Sequence, residues 1–350
     1  MTMLKNNELM KSIKIKSTHI KNFTVFKDIK INFSSGINIF IGENGSGKTN
    51  LLKAIYAFTK TSVDAVTDDG EIIKNSDDYD DVLSGMFNLH REWSHDFDKG
   101  QASSEIAFET EMRYYHFNFG GLCGGMGHGF PHKTKIMNTE SLYIPAKDML
   151  THSGIENEYA KKILPFDNTH IDILLNLREF PLRDHEVSVK NMKNKIKEII
   201  GGSVLYENGT YFILRNNRKV NFFMESEGYK KLAVIYRALD IGYLKPGSVL
   251  ILDEPEVNLN IKVIPFWVEI FLELSRNGVQ IFLSTHDYVL SKYFEVRKKD
   301  DDRVIFHSLV KTEDSVNVES NSEFRNIENN VIIQSFDKLL DEVITGNKGD

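Results

Sequence analysis

The chain of 350 residues is longer than a single hydrophobic core usually grows, and its 41% hydrophobic and 27% charged residues exclude wholesale disorder. A net charge of −7 excludes the strongly basic balance of a dedicated nucleic-acid binder, and the single cysteine, Cys123, excludes an intramolecular disulfide and suits a reducing compartment. No apolar run reaches about 18 residues and the basic start lacks a signal-peptide core, so a cytoplasmic protein with no membrane partner is expected.

Along residues 12–33, Ile13, Ile15 and then Ile29, Ile31 and Phe33 alternate with lysines, the period-2 pattern of two half-buried antiparallel strands, with Phe23 and Phe26 as core residues at their turn. Seven lysines lie between positions 5 and 30 against Glu8 and Asp28; they read as the wet side of a strand or as a nucleic-acid face. The apolar run Ile37 to Ile41 leads into Gly42-Glu43-Asn44-Gly45-Ser46-Gly47-Lys48-Thr49, then Asn50 and the helical pattern Leu51, Leu52, Ile55, Phe58. This is G-x-x-x-x-G-K-[ST] between a strand and a helix, the context of a phosphate-binding loop. Gly42, Gly45 and Gly47 let backbone N–H groups turn onto phosphate oxygens, and the helix adds its positive N-terminus. Lys48 is expected to bridge the β- and γ-phosphates of ATP, and Thr49 to place its hydroxyl on Mg²⁺.

Residues 64–81, with eight acids against Lys74, read as a solvated loop. Alternation over 104–119 predicts two or three antiparallel strands extending the nucleotide-binding sheet. The glycine-rich stretch 120–132 is expected to lack regular structure, and Cys123, His128 and His132 match no zinc spacing. Ser141 to Ile144 is a buried strand ended by Pro145, and 150–200 turns helical up to Gly201-Gly202. A hairpin region from Ser203 to Phe223, turning at Asn208-Gly209, precedes Ser226-Glu227-Gly228 at the start of a helix with the apolar face Leu232, Ile235, Leu239.

Val249-Leu250-Ile251-Leu252 followed by Asp253-Glu254-Pro255 describes a strand buried on both faces of a parallel sheet, with two acids at its C-terminal edge, where ligands bind. Asp253 suits a second-sphere role at a magnesium site and Glu254 the orientation or deprotonation of a water attacking a γ-phosphate. A helix over 261–276 leads to a second buried strand, Val279 to Leu283, whose edge carries Ser284-Thr285-His286, with His286 in reach of the γ-phosphate. A hairpin over 303–319 and a helix from Asn330 to Ile344, expected to dock through Ile332, Leu339, Leu340 and Val343, complete the chain.

Taken together, Gly42 to Asn50, Ser226-Glu227-Gly228, Val249 to Pro255 and Ser284-Thr285-His286 resemble the ABC-type ATPase heads, in the branch with RecF, the structural-maintenance-of-chromosomes heads and the OLD family. The resemblance implies an α/β P-loop NTPase with a mixed sheet, an antiparallel β insert and a helical lobe. The corresponding division is 1–150 for the first part of the nucleotide-binding lobe, 151–225 for the helical lobe and hairpin, and 226–350 for the completion of the lobe. It implies that Ser226 and Gly228 complete the ATP site of another copy in a homodimer or larger homo-oligomer, and that Asn258-Leu259-Asn260 communicates between the two sites. The sequence departs from the family at Pro145-Ala146-Lys147-Asp148, where a glutamine is missing, and carries neither a coiled-coil arm nor a Toprim-like acidic cluster. The function implied is an ATP-hydrolysing switch gating a separate effector, a nuclease or toxin, in antiphage defence; the alternative is a RecF-like DNA-binding clamp in DNA repair.

Overall fold

The computed structural model describes residues 14–61, 65–66, 72–73, 76–87, 104–111, 114–119, 140–147, 149–152 and 167–346. The glycine-rich stretch 120–132, with Cys123, His128 and His132, lies outside them. At the centre is a six-stranded sheet in the order β15-β14-β3-β13-β12-β8, built from β3 (Ile37–Gly42), β8 (Ser141–Ile144), β12 (Val249–Asp253), β13 (Gln280–Ser284), β14 (Val304–Lys311) and β15 (Val316–Asn321). Five of these strands are parallel, and β15 is an antiparallel edge. The apolar runs read in β3, β12 and β13 are buried along their whole length, because both faces of the sheet are covered.

Alternate side chains of the same strands feed two cores. On one face, Ile37, Ile39, Leu250, Leu252, Ile281 and Leu283 pack with helices α5 (Glu227–Asp240) and α6 (Ile264–Arg276). On the other, Phe40, Ile251 and Phe282 pack with α1 (Lys48–Thr61) and with the antiparallel strands. Those strands are β1 (Ile15–Phe23), β2 (Phe26–Asn32), β6 (Ser104–Thr110) and β7 (Tyr114–Phe119), in the order β2-β1-β6-β7. Residues 104–119 therefore do not extend the phosphate-loop sheet as expected; they pair with β1 in a sheet of their own. A period-2 pattern specifies a strand but not its neighbour.

Further along the chain, the two-residue strands β4 (Ala65–Val66) and β5 (Ile72–Ile73) form a ribbon, and α2 (Ser76–Phe87) buries Leu83 and Met86. The helical stretch resolves into α3 (Asn168–Asn176) and α4 (Val187–Ile200). The following strands β9 (Ser203–Glu207), β10 (Thr210–Arg215) and β11 (Arg218–Asn221) form a three-stranded antiparallel sheet. Its turns place Asn208, Gly209, Asn216 and Asn217 at positive φ, the conformation that two-residue hairpin loops require. After α7 (Tyr288–Arg297), the C-terminal helix α8 (Val331–Thr345) departs from expectation: Ile332 is buried, whereas Leu339, Leu340 and Val343 are exposed. Helical periodicity reports an apolar face, not what covers it.

Candidate functional site

Because β8, β12, β13 and β3 run parallel and in register, Ile144, Asp253, Ser284 and Gly42 end at one edge of the sheet. The phosphate loop leaves β3 there. Gly42, Gly45 and Gly47 have φ of 148°, 72° and 92°, which L side chains rarely adopt. At Gly47 there is also no room, since a Cβ would lie 2.4 Å from the Phe26 ring and 2.7 Å from Val25. The phenylalanine read as core in the β1–β2 turn thus packs against the loop. Glu43, Asn44 and Gly45 are exposed, and Asn50 is half-buried on the first turn of α1.

Lys48 is buried, and its Nζ donates to the carbonyl oxygens of Gly42 at 2.8 Å and Glu43 at 2.9 Å. Burial holds its pKa below the ordinary lysine value, opposed by the charges of Glu254, Asp253 and Glu256. The Ser46 hydroxyl is buried with no hydrogen-bond partner, a donor facing no acceptor within the loop. Thr49 Oγ1 donates to the Asp253 carboxylate at 3.0 and 3.2 Å.

Asp253 is buried and accepts two further hydroxyls, from Ser284 at 2.5 Å and Tyr143 at 3.3 Å. The next residue, Glu254, has a φ of 48°, a left-handed conformation that costs a non-glycine residue about 1–3 kcal/mol. Its N–H donates to Ser284 O at 3.1 Å and Ser284 Oγ at 3.2 Å, and its Oε1 lies 3.2 Å from His286 Nδ1. Glu256, buried in the following turn, accepts from Thr285 Oγ1 at 2.5 Å while its Oε2 has no partner, and burial raises its pKa.

Ser226 and Gly228 stand elsewhere, at the start of α5. Ser226 occupies the N-cap position, but its exposed hydroxyl makes no capping hydrogen bond. Gly228 faces the turn after β12, where a Cβ would lie 3.0 Å from Leu259 Cδ2. Asn258 in that turn has a φ of 65°.

Two fits to ligand chemistry follow. The open loop of glycine N–H groups, with the unpartnered Ser46 hydroxyl and the buried Lys48 ammonium, has the donors a polyphosphate requires. The Thr49 hydroxyl beside the Asp253 carboxylate is a hard-oxygen set, suited to Mg²⁺ with its remaining positions filled by water and phosphate. Among the described residues no group of three or more His, Cys, Asp or Glu side chains is placed to hold a metal.

Sequence reasoning missed Tyr143, Ser284 and Glu256 as parts of this site. Ser284 belonged to a motif noted without a role. Tyr143 was a strand residue whose hydroxyl reaches Asp253 only through the pairing of β8 with β12.

Residues 13–234 match the family described as AAA ATPase domain. Curated relatives match over short stretches: the DNA replication and repair protein RecF of Lactococcus lactis subsp. cremoris (strain MG1363) is 39% identical over 62 residues, 18% of this chain and 17% of that protein. RecF of Lactobacillus johnsonii is 47% identical over 55 residues, 16% of this chain and 15% of the relative. RecF of Lysinibacillus sphaericus is 35% identical over 76 residues, 22% and 20% respectively. The match thus spans about a fifth or less of these relatives' length. Among solved structures, a crystal structure of the SMC head bound to the C-winged helix domain of ScpA aligns with a TM-score of 0.49 at 15% identity, covering 88% of this chain and 98% of that one. The SMC head domain from Thermotoga maritima gives 0.43 at 15% identity, covering 88% and 99%. Among the described residues no helix is long and apolar enough to cross a membrane.

Proposed function

The chain belongs to the AAA ATPase domain family, and on that premise we propose that it is an ATP-hydrolysing head whose copies close in pairs around ATP and thereby gate a separate effector. The observation that carries hydrolysis is the meeting of three sequence-distant segments at one sheet edge. Thr49 bonds to Asp253, Glu254 follows it in a strained turn, and His286 lies against the Glu254 carboxylate. Strained, tightly determined backbone of this kind clusters at reaction centres.

In this reading the loop N–H groups, Ser46 and Lys48 bind the phosphates, while Thr49 and Asp253 would hold Mg²⁺, which when bound would supply charge neutralisation to the phosphates. Glu254 orients the attacking water and takes its proton, and His286 holds the carboxylate in place. Ser226 and Gly228 complete the site of a second copy, consistent with a hydroxyl at a helix N-terminus that caps nothing in its own chain. The effector, a nuclease or toxin of an antiphage system, is inferred by analogy with stand-alone heads of the OLD type.

Glu254→Gln is expected to leave ATP binding intact and to slow turnover by about 10²–10⁴, the range for losing a general base. A variant hydrolysing ATP at the wild-type rate sinks the assignment. The similarity to RecF favours a second reading, an ATP-dependent DNA clamp. Its lysines on β1 and β2 are in part already engaged, Lys21 with Glu105 and Lys27 with Asp314, both at 3.5 Å. Duplex binding that weakens steeply with salt in the ATP-bound state supports the clamp, and no binding at low salt removes it.

A further inference from the structure

Lys231 is a buried cation that the proposed reaction does not use. It lies on α5, five residues after Ser226, and its side chain is turned away from solvent into the turn that follows β12. There its Nζ donates to three backbone carbonyl oxygens, those of Glu254 at 3.1 Å, Pro255 at 3.3 Å and Val257 at 2.9 Å. An ammonium has three donors and no acceptor, so this one is fully committed to the turn. The same turn is seated against the start of α5 at Gly228, where Leu259 closes the space.

We propose that Lys231 is a positioning residue for Glu254: by gathering the three carbonyls it holds the left-handed turn that aims the Glu254 carboxylate at the reaction centre, and joins that turn to the helix carrying Ser226. The inference rests on the reading of Glu254 as the hydrolytic base. It explains why a cation is kept where burial opposes it. Burial lowers the Lys231 pKa to about 8 even though Glu256, Glu227, Glu254 and Asp253 surround it, so the ammonium is held at a cost to the fold. Removing the ammonium alone would leave three acceptor oxygens of the turn without their donor, so its loss is felt first in the turn that carries Glu254. A cation that binds three carbonyls of a strained turn fixes the geometry of that turn.

The test compares full-length wild type with Lys231→Met, Lys231→Arg, Glu254→Gln and the double variant Lys231→Met/Glu254→Gln, measuring kcat, KM, nucleotide Kd and melting temperature. Lys231→Met is expected to lower kcat by about 10–10²-fold, the effect of displacing a catalytic group by about 1 Å, with KM and Kd little changed. Lys231→Arg recovers most of the rate, because a guanidinium restores the donors. In the Glu254→Gln background Lys231→Met produces no further loss, since both changes act through one carboxylate. The melting temperature of Lys231→Met falls modestly, because three carbonyls lose their donor, and Lys231→Arg recovers it together with the rate. Should the apolar variant fail to fold, Lys231→Gln, which keeps an amide donor, carries the same cycle. An unchanged kcat, or an equal fractional loss with and without Glu254, overturns the proposal. Wild-type turnover by Glu254→Gln alone instead refutes the base on which it rests, and the two failures are read from different variants.

Discussion

The sheet edge and the start of α5 both carry motifs read from the sequence, yet they differ in how far those residues are bonded and buried within the chain, even with Ser46 Oγ and Glu256 Oε2 unpartnered at the edge. At the sheet edge Asp253 accepts from three hydroxyls, Glu254 meets His286, and Lys48 donates into its own loop. At the start of α5 the Ser226 hydroxyl is exposed and caps nothing, and Phe223 and Met224 just before it are 68% and 80% exposed. A buried, bonded network is rigid and preorganised. Polar donors beside exposed apolar side chains present a surface. The contrast teaches that one half of the proposed site is built within the chain, while the other is displayed by it.

Of the variants that set one half against the other, the one blocking the displayed half is expected to have the largest effect. Ser226→Trp is expected to abolish ATP-dependent dimers in light scattering and to lower turnover by about 10²–10³, the range for losing one preorganised donor. Its fold stability should stay within about 0.5 kcal/mol, because the site is exposed. If dimers persist, the displayed half has no such role and the contrast loses its meaning. Gly47→Ala probes the built half. A Cβ there meets the Phe26 ring at 2.4 Å, and the φ of 92° is unfavourable for alanine. The expected loss in chemical denaturation is about 1–3 kcal/mol, from overpacking and backbone strain together. Gly228→Ala makes the matched control. Its φ is not left-handed, and the Cβ meets the end of a flexible leucine at 3.0 Å, so its cost should be smaller. Equal costs at the two glycines would erase the distinction between the halves.

How much of this was legible in the sequence follows the range of the interactions. The strand, loop and helix of residues 37–61 form a local motif, and the structure places them as read. Asp253 and Glu254 were legible because four apolar residues ending in acids describe a strand end wherever that strand goes. Tyr143 was not, because its hydroxyl meets Asp253 across a strand pairing that joins residues 110 apart. Lys231 was hidden for a related reason. A lysine beside an apolar helical face reads as solvated, and only the return of the chain after β12 supplies the three carbonyls that it binds. The C-terminal helix shows the converse, a clear periodicity whose Leu339, Leu340 and Val343 remain exposed.

A pH dependence concerns the floor beneath the built half. His307, on β14 beside β3, is fully buried, with its Nδ1 2.7 Å from Ser320 Oγ, its Nε2 3.3 Å from Asn38 Oδ1 and its ring stacked on Phe40 at 5.1 Å. Burial lowers its pKa from 6.5 to about 3. Between these values the unfolded chain binds a proton that the fold excludes. The stability present above pH 6.5 is therefore lost as pH falls toward 3, at about 1.4 kcal/mol per pH unit. Urea unfolding at pH 6.5 and pH 5 should differ by about 2 kcal/mol from this group. His307→Gln keeps hydrogen-bonding atoms toward Ser320 and Asn38 but cannot take up the proton, so its acid slope should be shallower. A variant with the wild-type slope would assign the acid sensitivity to other groups and leave the sheet beneath the phosphate loop indifferent to pH.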